Sequence, residues 1–168
     1  MNKLQRILKH RWLDDRDTAR ALPPEALARI EARVAASEQA HSGEIRVCAE
    51  AGLPLSYLWK NLSARDRAIT MFGKLRVWDT EANNGVLIYL LLAEHAIEIV
   101  ADRGLARHVP PEQWQGIVAG MGEAFRAGRY EEGLQTAVDA VDALLRLHFP
   151  LSAGTINPNE LPNAPYLR

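Results

Sequence analysis

Apolar residues recur along the chain at two different spacings, which predicts that helices alternate with strands. Strict alternation predicts a strand over Glu44–Glu50, and the nearly continuous apolar run Gly85–Leu92 is typical of a central strand covered on both faces. Ala96–Ala101 is predicted as the returning strand of a hairpin with that run. Apolar positions three or four residues apart predict helices over residues 24–41, 56–75, 110–127 and 130–148.

The order of these elements limits the fold. A helix joins the first two predicted strands, so we expect them to be parallel with a right-handed crossover. The second and third strands form an antiparallel hairpin, and helices cover both faces of a small mixed sheet. The sequence therefore predicts an α/β fold, a three-layer α/β/α sandwich. The residues of the 56–75 helix expected to face the core are Leu58, Leu62, Ile69 and Phe72.

With 168 residues, the chain is long enough for about one domain with two flanking segments. We divide it into a basic N-terminal arm (residues 1–20), an α/β domain (residues 21–150) and an extended tail rich in proline and asparagine (residues 151–168). The tail is expected either to be disordered or packed on its own domain, or to bind a partner's groove as a peptide.

The first 13 residues carry Lys3, Arg6, Lys9 and Arg11 and no acidic side chain, a charge of +4. Helical spacing places four apolar residues on one face of this segment: Leu4, Ile7, Leu8 and Trp12. Two interpretations stay open. Either this first helix docks on its own domain and leaves its charges in water, or it contacts anionic lipid or an acidic partner.

Composition excludes several classes of function. Twenty basic against 21 acidic residues give a net charge of −1, which offers no general basic footprint for nucleic acid. The single cysteine, Cys48, excludes an internal disulfide and a multi-thiolate zinc site, and its place on a strand predicts a buried, inert thiol. No transmembrane segment is predicted, and the N-terminus lacks the apolar core of a signal peptide, so we expect a cytoplasmic location.

Candidate chemistry concentrates in the polar loop before Gly85. The hairpin brings this loop to the same end of the sheet as the turn after Ala101, so carboxylate and amide oxygens are expected to converge there, a set that suits Ca²⁺ or Mg²⁺. The residues concerned are Asp79, Glu81, Asn83, Asn84 and Asp102, with Arg103 and His108 close by. The alternative is a plain turn in which Asp102 caps the chain. The opposite end, with Glu50, Glu94, His95 and Glu98, is a second ligand location.

Four motifs resemble the TPM-domain family: Ser42–Val47, Trp78–Leu90, Ile97–Leu105 and Trp114–Leu134. The resemblance covers roughly residues 22–148 and implies a small mixed sheet between helices. That family includes a thylakoid-lumen acid phosphatase and many uncharacterised bacterial proteins. The resemblance implies that the acidic loop with Asp79, Asn83 and Asn84, which faces Asp102, is the family's divalent-cation or phosphate site. Many members carry a glycine-rich turn where this chain has Asp102-Arg103-Gly104.

Two functions follow as hypotheses. The first is an accessory or adaptor protein with a Ca²⁺ or Mg²⁺ site at Asp79, Asn83, Asn84 and Asp102. Bacterial members of the family commonly accompany LemA membrane proteins, which implies a membrane-associated partner and a location peripheral to the membrane. The alternative is a metal-dependent acid phosphatase acting on phosphomonoesters, in which Asp79, Asn84 and Asp102 hold the cation and Arg103 stabilises the developing charge. Asp102 and Arg103 are then the candidate catalytic residues.

Overall fold

A computed structural model describes residues 2–168, and within this range the strands form a four-stranded mixed sheet. The strands are β1 (Glu44–Glu50), β2 (Gly85–Leu91), β3 (Ala96–Ala101) and β4 (Tyr166–Leu167), in the order β3-β2-β1-β4. β1 is parallel to β2 and to β4, and β2 is antiparallel to β3. The predicted parallel pairing of the first two strands, the hairpin and the α/β fold class are confirmed.

The helices pack on both faces of the sheet. In chain order they are α1 (Lys3–Trp12), α2 (Asp15–Ala21), α3 (Pro24–Ser37), α4 (Leu55–Trp59), α5 (Ala64–Lys74), α6 (Arg103–Ala106), α7 (Pro111–Arg126) and α8 (Tyr130–His148). Alternation along β1 sends Ile45 and Val47 towards α3, α7 and α8, whereas Cys48 faces α4 and α5. Every residue of β1 and β2 is buried, as expected for strands with a helical layer on each face.

The predicted helix over residues 56–75 is wrong as a single element, because the chain breaks between α4 and α5. Asn61 takes a left-handed backbone conformation with φ of 56°, which a helix cannot continue through. Ser63 then starts α5 with a capping box: its side chain accepts from the Asp66 N–H, and Asp66 accepts from the Ser63 N–H at 2.7 Å. Ile69, expected to face the core, is half exposed, and Arg67 lies inside instead.

One other helix prediction needs correction, and the structure adds two short helices. The helix predicted to reach residue 41 ends at Ser37, because Glu38 turns inward and its Oε1 accepts the Ile45 N–H at 3.2 Å. The short helices α2 and α6 were not predicted. Each begins at an aspartate whose side chain accepts a backbone N–H, Asp14 for α2 and Asp102 for α6.

The C-terminal tail packs on its own domain. Its last residues add β4 to the free side of β1, where Arg168 N–H donates to the Ala49 carbonyl at 3.0 Å. Upstream of β4, the Arg46 guanidinium donates to the main-chain carbonyls of Pro162, at 2.6 Å, and of Ala164. The tail is therefore held through its backbone and also through side chains, since Leu161 is buried in the core and Asn157 Nδ2 donates to the His41 carbonyl at 3.1 Å.

α1 also docks on the domain, but not through the apolar face that its periodicity predicts. Ile7 alone of the four apolar residues packs against the core, and the polar residues Arg6 and His10 point inward to Glu94. Within residues 2–168, no helix is long and apolar enough to span a membrane.

Candidate functional site

The loop 79–84, the residues Ser42–Glu44 at the start of β1, and the turn 102–104 after β3 meet at one end of the sheet, which we call the polar edge. The hairpin register brings them together: Asp102 N–H donates to the Gly85 carbonyl at 2.9 Å, and Gly104 N–H donates to the Asn83 carbonyl at 2.8 Å. A Cβ at Gly104 would lie 2.3 Å from that same Asn83 oxygen. Glycine is therefore required for the first turn of α6 to sit against the loop.

Asn84 is completely buried at the polar edge. Its backbone N–H donates to Thr80 Oγ1 at 3.1 Å, and its side-chain Nδ2 donates to Ser42 Oγ at 3.2 Å, which ties the loop to β1. Its Oδ1 has no hydrogen-bond partner among residues 2–168. Leaving a buried amide oxygen without a hydrogen bond costs about 1–3 kcal/mol of stability, so a ligand that binds this oxygen would recover that cost.

Asp102 lies across the hairpin from this loop and is also buried. Its Oδ1 accepts the Arg103 N–H at 2.7 Å and caps α6. Its Oδ2 is buried and has no partner in the described part of the chain. An unpaired carboxylate oxygen is costlier to bury than an amide oxygen, because it carries part of a charge. The polar edge thus holds three buried oxygens without donors: the neutral Asn84 Oδ1 and the carboxyl oxygens Asp102 Oδ2 and Glu44 Oε1.

The other predicted site residues are placed differently. Asp79 is exposed, and its carboxylate forms an ion pair with Arg76. Asn83 has φ of 51°, a left-handed backbone conformation, and its carbonyl accepts the Gly104 N–H. Arg103 is exposed in the first turn of α6.

The remaining two residues of the predicted cluster lie at the margin of the polar edge. Glu81 is exposed, and its N–H donates to the Glu160 carboxylate at 3.0 Å. The His108 ring stacks on His148, with 4.9 Å between ring centroids.

The residues that sequence reasoning missed are at the start of β1. Glu44 is buried; its Oε2 accepts the Leu161 N–H at 3.1 Å, and burial raises its pKa. Glu38 is buried nearby, and burial raises the pKa of its carboxyl to about 8, with the negative charge of Glu44 adding to the rise. Burial also lowers the pKa of His41, whose Nε2 lies 3.4 Å from Asp142 Oδ1. The Ser42-Gly43-Glu44 motif was the available signal, but a sequence does not show burial.

Two of the four residues predicted at the opposite end of the sheet, Glu50 and Glu94, are held in ion pairs. The Glu50 carboxylate is paired with Arg67, and Glu94 is paired with Arg6 at 2.7 Å and with His10 at 3.0 Å. Each of these carboxylates already has a basic partner, so neither is available to a ligand.

A cleft of about 640 Å³ lies beside β3 and α6, lined mainly by apolar side chains of β3 and α7. Ile99, Trp114 and Val118 are among them. Arg65 is the basic residue in this lining and lies 3.5 Å from Glu98 Oε2. The cleft is therefore suited to an apolar group rather than to a phosphate.

The donor set of the polar edge fits a hard cation that keeps part of its water shell. Ca²⁺ accepts six to eight oxygen ligands, including amide oxygens and waters, and Mg²⁺ retains several waters. Asn84 Oδ1 and Asp102 Oδ2 are oxygens of this kind. Within residues 2–168, no group of three or more histidine, cysteine, aspartate or glutamate side chains is arranged to hold a metal ion. A closed, all-protein site is thus not formed.

A family model described as the TPM domain matches residues 16–144, more than half of the chain. No curated protein matches this chain. The fold is similar to the NMR structure of the BA42 protein from the psychrophilic bacterium Bizionia argentinensis, with a TM-score of 0.75 and 27% identity over 88% of this chain and 95% of that one. It is also similar to the N-terminal domain of a P. gingivalis protein, with a TM-score of 0.60 and 24% identity over 74% and 76% of the two chains.

Proposed function

The chain belongs to the TPM domain family, and on that premise we propose that it is an accessory protein that binds Ca²⁺ or Mg²⁺ at the polar edge. The observation that carries this proposal is the pair of buried, unpartnered oxygens of Asn84 and Asp102. A cation bound there would supply the missing positive charge to the Asp102 carboxylate and connect the loop before β2 to the turn after β3.

The arrangement of Asp79 narrows the ligand set. Its carboxylate would have to leave Arg76 to reach a cation, and both side chains are exposed, so the exchange costs about 1 kcal/mol or less. The Asn83 carbonyl oxygen already accepts a hydrogen bond from the Gly104 N–H, so in this proposal Asn83 binds the cation through its side chain. In this proposal Asn84 and Asp102 are the fixed ligands, and Asp79 and Asn83 are recruited on binding.

Two observations favour an accessory role over hydrolysis. The adjoining cleft is mainly apolar, and the Cys48 thiol is buried with its pKa raised by that burial, so it is not a nucleophile. An accessory protein acts through a partner, and the family resemblance implies a membrane-associated one.

Calorimetric titration of metal-stripped protein with Ca²⁺, Mg²⁺ and Mn²⁺ tests the cation site. We expect saturable binding that Asp102→Asn weakens by about tenfold or more, because a neutral amide replaces the charged ligand. Asp139→Asn is the matched control, since Asp139 is an exposed carboxylate on α8 paired with Arg33. Absence of saturable binding with all three cations would refute the proposal.

The second candidate function, a metal-dependent phosphatase for phosphomonoesters, is favoured by one observation. Arg103 follows Asp102 directly and is exposed, so its guanidinium is free to approach a phosphoryl group near the cation. The test is turnover of p-nitrophenyl phosphate by cation-loaded protein. Turnover that falls in both Asp102→Asn and Arg103→Gln would support an enzyme, whereas turnover no higher than in Asp102→Asn would leave the accessory role.

A further inference from the structure

The helix α1 is docked with its polar side inward. Arg6 Nε donates to Glu94 Oε1 at 2.7 Å, and His10 Nε2 lies 3.0 Å from the same oxygen. The Leu53 N–H donates to His10 Nδ1 at 2.9 Å, so Nδ1 is the acceptor and Nε2 carries the proton given to Glu94. Gly52 allows this approach, since a Cβ there would lie 2.7 Å from the His10 carbonyl. The interior contacts of α1 are thus specific and largely polar.

The apolar side of α1 consequently faces outward. Leu4, Leu8 and Trp12 are spaced four residues apart, so they form one stripe along the helix. Their exposed fractions are 71%, 58% and 85%. Single exposed leucines are common on protein surfaces, but an outward apolar stripe on a helix docked by its polar residues reverses the usual amphipathic arrangement.

The neighbouring helix α4 presents two more large apolar side chains. Leu55 is 52% exposed and Trp59 is 69% exposed. Lys3 joins the two helices: its Nζ donates to the Trp59 carbonyl at 2.7 Å and lies 5.1 Å from the centre of the Trp59 ring. We call these five residues, Leu4, Leu8, Trp12, Leu55 and Trp59, the apolar patch. They are five of the nine large apolar residues exposed in the described part of the chain.

Basic side chains are interspersed with the residues of the apolar patch along α1 and at the end of α4. The segment 1–13 contains no acid, and Lys9, Arg11 and Lys60 are exposed beside the five apolar residues. Three acids follow α1 at the start of α2: Asp14 caps the helix, Asp17 pairs with Arg20, and Asp15 is exposed. Positive charge is therefore concentrated here, although the net charge of the whole chain is −1.

We propose that α1 and α4 form a docking surface for an anionic lipid bilayer. Leucine and tryptophan side chains of the apolar patch would enter the boundary between headgroups and acyl chains, and the lysine and arginine side chains would contact lipid phosphates. Exposed tryptophans flanked by cations favour a bilayer over an acidic protein, because their amphipathic rings suit the headgroup level. This proposal is independent of the cation site, which lies at the polar edge.

Vesicle co-sedimentation of the full chain tests the proposal. We expect binding to phosphatidylcholine vesicles containing about 30% phosphatidylserine, weaker binding to pure phosphatidylcholine, and a decline with added salt. The double substitution Leu4→Ser with Leu8→Ser should weaken binding by about tenfold or more. Lys9→Gln with Arg11→Gln should weaken binding to the anionic vesicles by about fivefold for each charge.

The matched control replaces two equally exposed apolar residues elsewhere, Leu147→Ser with Ile156→Ser, and should leave binding unchanged. Subtracting the fluorescence spectrum of Trp12→Phe from that of the natural chain gives the emission of Trp12 itself. The maximum of this emission should shift to shorter wavelength with anionic vesicles, which reports insertion of the Trp12 ring. Failure to sediment with either vesicle, or equal losses in the α1 variant and the control, would overturn the proposal. Retention of an acidic protein by the chain without vesicle binding would likewise overturn it.

Discussion

The Arg67 guanidinium donates two hydrogen bonds to the Glu50 carboxylate inside the domain, Nε to Oε2 at 2.7 Å and Nη2 to Oε1 at 2.5 Å. Tyr89 adds a third, from its hydroxyl to Glu50 Oε2 at 2.8 Å. Both charged side chains are almost completely buried. This pair attaches α5 to β1, and its two-point geometry fixes the orientation of the helix on the sheet.

Removing one partner of this pair should be costly. Arg67→Met leaves the Glu50 carboxylate buried with only the Tyr89 hydroxyl, and we expect a loss of about 3–5 kcal/mol in the free energy of unfolding. Urea unfolding measures it. The double variant Glu50→Gln with Arg67→Met removes both charges and should be milder than Arg67→Met alone. Equal stability of Arg67→Met and the natural chain would show that the pair contributes nothing.

Glu38 predicts a loss of stability with rising pH. Burial raises the pKa of its folded carboxyl to about 8, above the value of 4.5 for an unperturbed glutamate. The folded state therefore holds a proton that the unfolded state releases, and the resulting stabilisation is complete below about pH 4.5 and lost as the pH rises through 8. The Glu44 carboxyl beside it, whose pKa is also raised, acts in the same direction.

Glu38→Gln replaces the titrating carboxyl with a neutral amide and should flatten the pH dependence of the free energy of unfolding. Near pH 9 we expect the variant to be more stable than the natural chain by about 2 kcal/mol or more. Urea unfolding between pH 5 and 9 makes the comparison. Glu25→Gln, at an exposed position in the first turn of α3, is the control and should keep the natural slope. An unchanged slope in Glu38→Gln would show that Glu38 is ionised throughout.

Glu94 predicts the opposite behaviour for α1. The hydrogen bond from His10, assisted by Arg6, lowers the pKa of Glu94 to about 2. Its contribution is therefore present above about pH 4.5 and lost as the pH falls through 2. We expect Glu94→Gln to weaken the docking of α1 at neutral pH, so that its amide hydrogens exchange faster while those of β1 and β2 stay protected. Uniformly faster exchange would instead indicate global destabilisation.

Gly104 predicts how the polar edge depends on backbone approach. A Cβ in Gly104→Ala would lie 2.3 Å from the Asn83 carbonyl, so the first turn of α6 must move away from the loop. We expect lower cation affinity in calorimetric titration, because Asp102 moves with α6. Gly116→Ala, with no atom within 4 Å of the new Cβ on α7, is the matched control and should gain about 0.5–1 kcal/mol of stability without changing affinity.

Much of the fold was predictable because hydrophobic patterns report burial directly. The bounds of β1, β3 and α8 are those that the pattern predicts, as a strand or helix covered by the core has few alternatives. The break before α5 was missed, although Ser63 and Asp66 have the spacing of a capping box. The helical spacing of apolar residues continues across this break, so the pattern over residues 56–75 predicts a single helix.

The face through which α1 docks was not predictable, because the residue that selects it, Glu94, lies 84 positions after His10 in the sequence. Periodicity identifies an apolar stripe, and the usual expectation turns that stripe inward. The pairing of His10 with Glu94 decides otherwise, and no local pattern encodes it. At the polar edge, the sequence predicted that Asn84 and Asp102 share one end of the sheet, but not that each has a buried, unpartnered oxygen, since burial depends on Ser42, α6 and the tail together.

The short strand β4 also has a consequence for solubility. β1 is completely buried within the sheet, and without the tail its outer side would be an open sheet edge able to pair with another copy of the chain. With the tail in place, the Arg168 backbone occupies groups that such pairing would use: its N–H donates to the Ala49 carbonyl at 3.0 Å, and its carbonyl accepts the Ala51 N–H at 2.9 Å. The segment that completes the sheet thereby covers the edge to which a second copy of the chain could otherwise add a strand.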